Sequence, residues 1–243
     1  MVGHIKAAHK ASRECYGSPR IHKVLLTQGQ SIGRNRVARL MRKHGIVGKH
    51  RRRFRRTTIV NPMDQWFRDV VGRRFSPDAP NKVWASDITY LTTSEGTLYL
   101  AVVIDLYGRR VIGWAARTYM TADLVIEALT AAIELRRPQA GLIHHSDRGT
   151  QYASKAYQEL LRKHGMVSSM SEKGDCWDNA PVESFFSTLK KEIDDLSKMT
   201  RRIAWQTLFE YIEIWYNRQR IHSTLGYLSP AQYEANVIQA SKA

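Results

Sequence analysis

The spacing of apolar residues changes along the chain from the period of helices to that of strands. In residues 1–45 apolar side chains recur every three or four positions, which predicts helices. Ser18 is placed to cap one helix, with Pro19 at its first position. A second helix is predicted over residues 34–44, and Gly45 suits the left-handed residue that follows a helix. Two short helices joined by a glycine-bounded turn favour a helix-turn-helix.

From residue 82 onwards the pattern is typical of strands that alternate with helices. Residues 82–91, 97–105 and 110–117 are rich in β-branched and aromatic side chains, and a short turn between the last two predicts an antiparallel meander. Further strands are predicted at 141–146 and 166–170, and further helices at 121–135, 154–164, 180–196 and 201–216. This order predicts an α/β fold, although other mixed folds share it. The fold that fits it best is a ribonuclease-H-like core with a mixed five-stranded sheet flanked by helices, after a small N-terminal all-α helix-turn-helix-like domain.

The same changes in pattern predict the domain boundaries. Residues 1–56 form a basic helix-turn-helix-like DNA-binding region in this interpretation. Residues 57–80 contain three prolines and little periodicity, so we interpret them as a linker. The catalytic core and the C-terminal helices then occupy residues 81–236.

The positive charge of the chain is concentrated in its first quarter. The formal net charge is +16, and residues 1–56 hold 16 Lys and Arg residues against one acid, whereas residues 57–243 are close to neutral. A basic arm beside a neutral body indicates a nucleic-acid partner, although a basic face that only aids solubility has the same composition. The arginines predicted to contact DNA lie on the second helix and in the run after it: Arg34, Arg36, Arg39, Arg51, Arg52, Arg53, Arg55 and Arg56.

Composition narrows the class of protein further. The two cysteines, Cys15 and Cys176, cannot form a disulfide framework and lack the spacing of zinc ligands. No apolar run approaches the roughly 20 residues that span a bilayer, and the first residues lack the pattern of a signal peptide. We therefore expect a soluble cytoplasmic protein without a membrane partner.

Three acids lie where a carboxylate needs a specific reason. Asp87 interrupts a predicted strand that is apolar on both faces, where an unpaired charge is costly. Asp147 ends another predicted strand, and Glu183 lies in the first turns of a predicted helix beside its apolar face. Carboxylate oxygens suit Mg²⁺ or Mn²⁺, and two such ions can activate the attacking oxygen of a phosphodiester reaction and stabilise the leaving one. Each acid alone is explained more simply as a cap or an ion-pair partner, so the prediction rests on their combination and spacing.

Other polar candidates have structural interpretations. Asp105 follows a strand at a turn and is expected to be a turn residue. Asp175 and Asp178 precede a helix and are expected to cap it or order its loop. His144 and His145 adjoin Asp147, but histidine suits softer metals than Mg²⁺, so we expect packing or supporting roles. The apolar residues near the C-terminus predict helical core or a protein–protein surface: Trp205, Leu208, Phe209, Ile212, Trp215 and Tyr216.

The spacing of the three acids resembles that of a known family. Asp147 and Glu183 are separated by 35 residues, and Lys190 follows Glu183 by seven. This is similar to the Asp, Asp-35-Glu pattern of retroviral integrases and of OrfB-type insertion-sequence transposases. Four further motifs are similar to those of the transposases. They are HSDRG with QY within 145–152, the tripeptide Asp178-Asn179-Ala180 followed by ESFF at 183–186, YGSPRI at 16–21 and LGYLSP at 225–230.

The resemblance implies a DDE transposase that carries out metal-dependent cleavage and strand transfer at the ends of its own insertion element. It implies that Asp87, Asp147 and Glu183 are catalytic residues and ligands of Mg²⁺ (or Mn²⁺), with two ions per active site, and that Lys190 contacts DNA. Implied partners are double-stranded DNA at the terminal inverted repeats and the target, further copies in a synaptic complex, and an upstream-frame DNA-binding protein or fusion. No zinc is implied, because the integrase-type N-terminal His/Cys module is absent. The implied location is the bacterial cytoplasm, in association with the nucleoid.

Two other functions remain open at this point. A structure-selective nuclease on the same fold would share the three acids but stop at hydrolysis. A non-catalytic DNA-binding regulator would account for the basic N-terminal helices but leaves Asp87 in a buried strand unexplained.

Overall fold

The N-terminal region is a small bundle of three helices. In this computed structural model, which describes residues 1–49, 71, 76–171 and 179–240, the helices are α1 (Val2–Ala11), α2 (Ser18–Thr27) and α3 (Arg34–Lys43). Each buries an apolar stripe, for example Ile21 and Leu25 on α2. The predicted pair of helices is confirmed, and Gly45 has the expected left-handed backbone (φ 62°).

One detail of the first predicted helix was wrong. The N-cap of α2 is Gly17, so Ser18 lies inside the first turn and its side chain makes no capping hydrogen bond. Pro19 then follows within the first turn, where its missing N–H costs no helical hydrogen bond.

A five-stranded mixed sheet forms the centre of the remaining structure. Its strands are β1 (Val83–Thr93), β2 (Gly96–Asp105), β3 (Arg110–Arg117), β4 (Ile143–Ser146) and β5 (Val167–Met170). Their order in the sheet is β3-β2-β1-β4-β5. The first three strands are antiparallel, and β4 and β5 run parallel to β1. The meander and the mixed sheet are thus confirmed, with β1 in the middle.

Helices cover both faces of this sheet. They are α4 (Ala122–Arg136), the single turn α5 (Thr150–Ala153), α6 (Lys155–Lys163), α7 (Ala180–Glu192), α8 (Arg201–Phe209) and α9 (Pro230–Ala240). A π-helical segment, Glu210–Gln219, continues directly from α8. Helix α7 ends at Glu192 rather than at the predicted residue 196, because Ile193 is extended and leads into a 3-10 turn at Leu196–Lys198. Helix α9 was not predicted.

The apolar core has two parts, one on each face of the sheet. One part joins α4 and α6 to the sheet, for example through Leu129 and Leu161. The other joins α7, α8 and the π-helical segment, and it continues without a break into Ile21 and Val37 of the N-terminal bundle. The N-terminal helices therefore pack on the same side of the molecule as α7.

Most of the predicted linker, residues 57–80, lies outside the described residues, as do the five arginines of the run at 51–56. The predicted domain boundaries accordingly stay predictions. Within the described part of the chain, no helix is long and apolar enough to cross a membrane.

Candidate active site

Two neighbouring parallel strands bring Asp87 and Asp147 side by side. Ser86 of β1 pairs with Ser146 of β4, so the acids occupy the next position on each chain. Adjacent strands lie about 4.8 Å apart, and residues in register point to the same face of the sheet. This face is the one covered by α7, because Ala85 and Ile143, two and four residues before the acids, pack into the core on that side.

The backbone around the two carboxylates holds each of them in place. Oδ1 of Asp87 accepts a hydrogen bond from the N–H of Ile88 at 2.8 Å, and Oδ1 of Asp147 accepts one from the N–H of Gly149 at 2.9 Å. A Cβ at residue 149 would lie only 3.0 Å from that same Asp147 oxygen. Glycine therefore lets the turn close tightly over the second acid.

Helix α7 brings the third acid to this edge of the sheet. The side-chain amide of Asn179, the N-cap residue, donates to the carbonyl oxygen of Ser86 at 3.0 Å, which ties the start of α7 to β1 beside Asp87. Glu183 lies in the first turn of the helix, where the partial positive charge of the helix favours a carboxylate. Its side chain is exposed.

The three acids do not form a closed cluster. Among the described residues, no group of three acids, histidines or cysteines is close enough to make a ready metal site. The structure thus brings Asp87 and Asp147 together and places Glu183 on the helix that begins beside them. Glu183 is exposed, and three carboxylates brought together without a cation would repel one another.

Tyr152 adds a polar group that the sequence did not single out as functional. It lies on α5, five residues after Asp147, and is 1% exposed. Its hydroxyl is buried and has no hydrogen-bond partner among the described residues. Burial raises the pKa of Tyr152 well above its usual range, and the charges of Asp87 and Asp147 act in the same direction. The phenol therefore lies within the electrostatic field of both acids.

Lys190 lies two turns after Glu183 on α7 and is half-buried. Burial lowers the pKa of Lys190, while the negative charge of Asp87 acts in the opposite direction. Its ammonium nitrogen lies 4.8 Å from the centre of the Tyr90 ring. Asp194, four residues further on, lies beyond the end of α7 and pairs with Arg13 at 3.6 Å.

The structural interpretations of Asp105 and the two histidines are confirmed. Asp105 is fully buried, and its carboxylate accepts hydrogen bonds from the N–H groups of Asn81 and Tyr107. His144 bonds to the hydroxyl of Ser86 at 2.9 Å, and burial together with the neighbouring His145 lowers its pKa to about 3. His144 is therefore a neutral packing residue at physiological pH.

Three of the arginines predicted to contact DNA lie within the described residues. Arg34, Arg36 and Arg39 are exposed on α3. The others lie outside the described residues: Arg51, Arg52, Arg53, Arg55 and Arg56. Asp175 and Asp178, predicted to order the loop before α7, lie outside them too.

Comparison with known proteins shows which family models and relatives this chain matches. Residues 2–54 match an HTH-like domain, and residues 77–176 and 164–230 each match an integrase core domain. The insertion element IS600 uncharacterized 31 kDa protein of Shigella sonnei is 44% identical, in an alignment that spans 94% of this chain and 85% of the Shigella protein. The transposase for insertion sequence element IS904 of Lactococcus lactis is 42% identical, with 95% and 91% covered. The chain belongs to the insertion-sequence transposases. Transposase InsF for insertion sequence IS3A of Escherichia coli is a further relative of this transposase, 44% identical over 95% of the chain and 80% of its own.

The transposase shares its fold with retroviral integrases. A chain of the simian T-cell lymphotropic virus intasome, solved with a PP2A regulatory subunit, aligns over 95% of the transposase and 74% of its own length, with a TM-score of 0.55 and 17% identity. The HTLV-2 integrase catalytic core domain in complex with magnesium aligns over 65% and 98%, with a TM-score of 0.51 and 19% identity. The predicted family, fold and class of enzyme are confirmed: the transposase is a DDE transposase/integrase that acts on DNA.

Proposed function

We propose that the transposase cuts the ends of its own insertion element and joins the freed 3′ ends to target DNA. Asp87, Asp147 and Glu183 are the catalytic residues in this proposal. The observation that carries it is the adjacency of Asp87 and Asp147 on one face of the sheet, beneath the first turn of the helix that bears Glu183.

The residues at this edge fit a divalent metal site of Mg²⁺ or Mn²⁺, and the proposal includes two ions. Carboxylate oxygens are the donors that such hard cations prefer. The unpartnered hydroxyl of Tyr152 also fits, because it can donate to a carboxylate or to a water molecule at the site. When bound, the ions supply activation of the attacking oxygen and stabilisation of the leaving oxygen. The two histidines before Asp147 are buried and each is hydrogen-bonded to a serine hydroxyl, His144 to Ser86 and His145 to Ser169, and the proposal needs no zinc.

The side chains around the acids hold and orient the DNA. Water attacks the phosphodiester at the element's end and the 3′ oxygen leaves. The resulting 3′-hydroxyl then attacks a phosphodiester of the target in line and displaces the target strand's own 3′ oxygen, which leaves as a 3′-hydroxyl. Neither step needs ATP or a covalent bond to the protein, so the task of the chain is positioning and charge stabilisation. In this proposal Lys190 binds a phosphate about 10 Å along α7 from Glu183.

The partners in this proposal are DNA and other protein chains. The exposed arginines of α3 and the run at 51–56 contact the terminal inverted repeats, and further copies of the chain assemble with both ends in a synaptic complex. An upstream-frame DNA-binding protein, separate or fused, completes the enzyme. The proposed place of action is the nucleoid of a bacterial cell.

The test uses Asp87→Asn, Asp147→Asn and Glu183→Gln, with Glu159→Gln on α6 as a matched control on an exposed helical acid. The proteins are incubated with labelled element-end DNA and the upstream-frame product, in Mg²⁺, Mn²⁺ or EDTA. Each of the three variants should reduce cleavage and joining by at least about a hundredfold, because each removes one ligand charge. Their melting temperatures without metal should equal that of the unsubstituted protein or exceed it, because carboxylate repulsion is relieved.

Several outcomes contradict the proposal in different ways. Cleavage that persists in EDTA refutes the metal mechanism, and a fully active variant removes its residue from the site. Cleavage without joining favours the nuclease, and DNA binding without any cleavage favours the regulator.

A further inference from the structure

Basic side chains from three separate parts of the chain come together where the N-terminal bundle meets the core. Arg20 lies in the first turn of α2, and Lys23 follows it one turn later. Arg109 lies in the tight turn between β2 and β3, and Arg220 and His222 follow the π-helical segment. We refer to these five residues as the junction cluster. Both the N-terminal bundle and the core contribute to it.

Contacts between the start of α2 and the segment after the π-helical segment fix the junction cluster. Nη1 of Arg220 lies 3.4 Å from Nε2 of His222, and the His222 ring packs edge-on against Tyr216 with ring centres 5.0 Å apart. The hydroxyl of Tyr16 accepts a hydrogen bond from the N–H of Ile221 at 2.8 Å. Because Tyr16 comes just before α2, this bond places the start of the helix beside the other basic residues.

Aromatic rings orient the two cations of α2. The guanidinium carbon of Arg20 lies 5.5 Å from the centre of the Tyr16 ring. The ammonium nitrogen of Lys23 lies 5.1 Å from the centre of the Tyr227 ring. A ring face attracts a cation but does not neutralise its charge. Both side chains are therefore positioned while their positive charge remains uncompensated.

The positive charge of the junction cluster exceeds the negative charge around it. The charge of Glu192 acts on Arg20 and Arg220, but this carboxylate is already bound to Arg220 in an ion pair of 2.8 Å. Within the described part of the chain, no acid forms an ion pair with Arg20, Lys23 or Arg109. The Nε atom of Arg20 is buried there without a hydrogen-bond partner. The cluster thus has donors and charge that fit an anion.

The electrostatic field of the arginines acts on His222. Burial lowers the pKa of His222 to about 2, and the charges of Arg220, Arg20 and Arg109 act in the same direction. Arg20 and Arg109 are half-buried, and burial lowers the pKa of each guanidinium. Half-buried cations that face one another raise the free energy of the folded protein, and a bound anion lowers it.

The position of α2 indicates which anion fits. In a helix-turn-helix the second helix lies in the major groove, and the first helix crosses the DNA backbone. Helix α2 directly precedes α3, and it carries Arg20 and Lys23. Guanidinium groups bind phosphate oxygens through paired hydrogen bonds, so a backbone phosphate matches both the charge and the donors of the cluster.

We propose that the junction cluster binds a backbone phosphate of the DNA duplex that α3 reads. The proposal rests on the proposed function, in which the N-terminal region contacts the terminal inverted repeats. It assigns Arg109, a residue of the core, to the same phosphate as Arg20 of α2. The core therefore takes part in holding the recognition sequence, away from the catalytic acids.

The test measures binding of the duplex end of the DNA element that encodes this chain, without metal and with the upstream-frame product supplied. Arg20→Gln and Arg109→Gln remove one charge each and keep the length of the side chain. Each should weaken Kd about tenfold or more and reduce the salt slope of binding by about one unit. Arg202→Gln is the matched control, because Arg202 is an exposed arginine on α8. It should leave both quantities unchanged.

Neutral phosphates show whether the two arginines bind the same group. Methylphosphonates replace the phosphates of the duplex one at a time, and one of them should weaken binding of the unsubstituted protein about as much as Arg20→Gln does. At that position neither Arg20→Gln nor Arg109→Gln should weaken binding further, because the contact is already lost. Without DNA, both variants should melt at the temperature of the unsubstituted protein or above it, since repulsion between cations is relieved.

The outcomes separate this inference from the proposed function. Unless both arginines are coupled to one and the same phosphate, the inference is overturned. Variants that melt at lower temperatures and show no such coupling identify the arginines as structural, which overturns it as well. In either case the cleavage assay still decides the catalytic role of the acids. A protein that does not bind the duplex end at all refutes both proposals.

Discussion

Tyr152 buries a phenolic hydroxyl next to two carboxylates. A buried hydroxyl without a hydrogen bond costs about 1–3 kcal/mol, so its presence in the interior needs a reason. The nearby charges of Asp87 and Asp147 supply one, because the hydroxyl can donate to a carboxylate once a cation has drawn the acids together. Groups that orient metal ligands in this way commonly change metal affinity by about 10- to 100-fold when they are removed.

We expect Tyr152→Phe to raise the Mg²⁺ concentration needed for half-maximal cleavage about tenfold or more. Without metal, the variant should be as stable as the unsubstituted protein or slightly more stable, because an unpaired hydroxyl is removed. Tyr157→Phe is the matched control, since the Tyr157 hydroxyl is buried but bonded to His144 at 3.1 Å. The control should be about 1 kcal/mol less stable and keep its metal dependence. The reverse pattern in the two variants contradicts this role for Tyr152.

At the scale of single residues, the sequence predicted the acids but not their surroundings. Asp87 was singled out because a carboxylate in an apolar strand is costly, and Asp147 and Glu183 because of their spacing; their catalytic roles stay predictions. The unpartnered hydroxyl of Tyr152 could not be found, because its burial results from the packing of α5 against α4 and α6. The partner of Asp194 was also hidden, since Arg13 is far away in the sequence.

The helices and strands were predicted well where the spacing of apolar residues defines them. The end of α7 was predicted poorly. The apolar pattern of α7 continues to Leu196, yet the helix ends at Glu192. The carboxylate of Glu192 is buried and accepts hydrogen bonds from Arg220, Trp215 and Tyr211. Burial opposes the charged form, but the Arg220 guanidinium outweighs it and holds the pKa of Glu192 below its usual value. The last residue of this helix is thus held by partners about 20 to 30 residues further along the chain, which the spacing of apolar residues does not indicate.

The close approach of β3 to α4 allows a test at this scale. At Gly113 a Cβ would lie 2.2 Å from the carbonyl oxygen of Ala128 and 2.7 Å from the backbone nitrogen of Ala132. Because backbone atoms cannot give way as side chains do, Gly113→Ala should lower the free energy of unfolding by about 1–3 kcal/mol or more. Gly3→Ala on α1 meets nothing within 4 Å and should raise it by up to about 1 kcal/mol. Denaturant unfolding measures both, and equal stability of the two variants argues against the close approach.

At the scale of the whole molecule, the sequence predicts the charge of the N-terminal region but not the way in which this region packs on the rest of the protein. Its excess of positive charge is plain from composition. Its docking is not: Tyr16 packs against Trp215 with ring centres 5.7 Å apart, and its hydroxyl accepts a hydrogen bond from the N–H of Ile221 at 2.8 Å. Such interactions join residues about 200 positions apart, and nothing in the local pattern indicates them.

The basic run gives a prediction for the molecule as a whole. If its arginines bind phosphates, the logarithm of the DNA affinity falls linearly with the logarithm of salt concentration. Replacing all five by alanine should flatten that slope by up to about 0.9 for each phosphate that is no longer neutralised. The five are Arg51, Arg52, Arg53, Arg55 and Arg56. Titrations at several salt concentrations measure this, and an unchanged slope means that the run does not touch DNA.

The docking of the N-terminal helices also bears on how the mobile element itself can change. Tyr16 and Arg13 join the helical bundle to the segments around α7. If α3 reads a DNA sequence and a phosphate is cut beside Asp87, as proposed, the protein sets the separation between the two. Each base pair added between them moves the cut by about 3.4 Å and rotates it by roughly a tenth of a turn. Point mutations in the element's ends leave this spacing intact, whereas insertions and deletions break it at once. In this proposal, the element's ends must therefore keep the distance between the sequence that α3 reads and the phosphate that is cut, as well as the sequence itself.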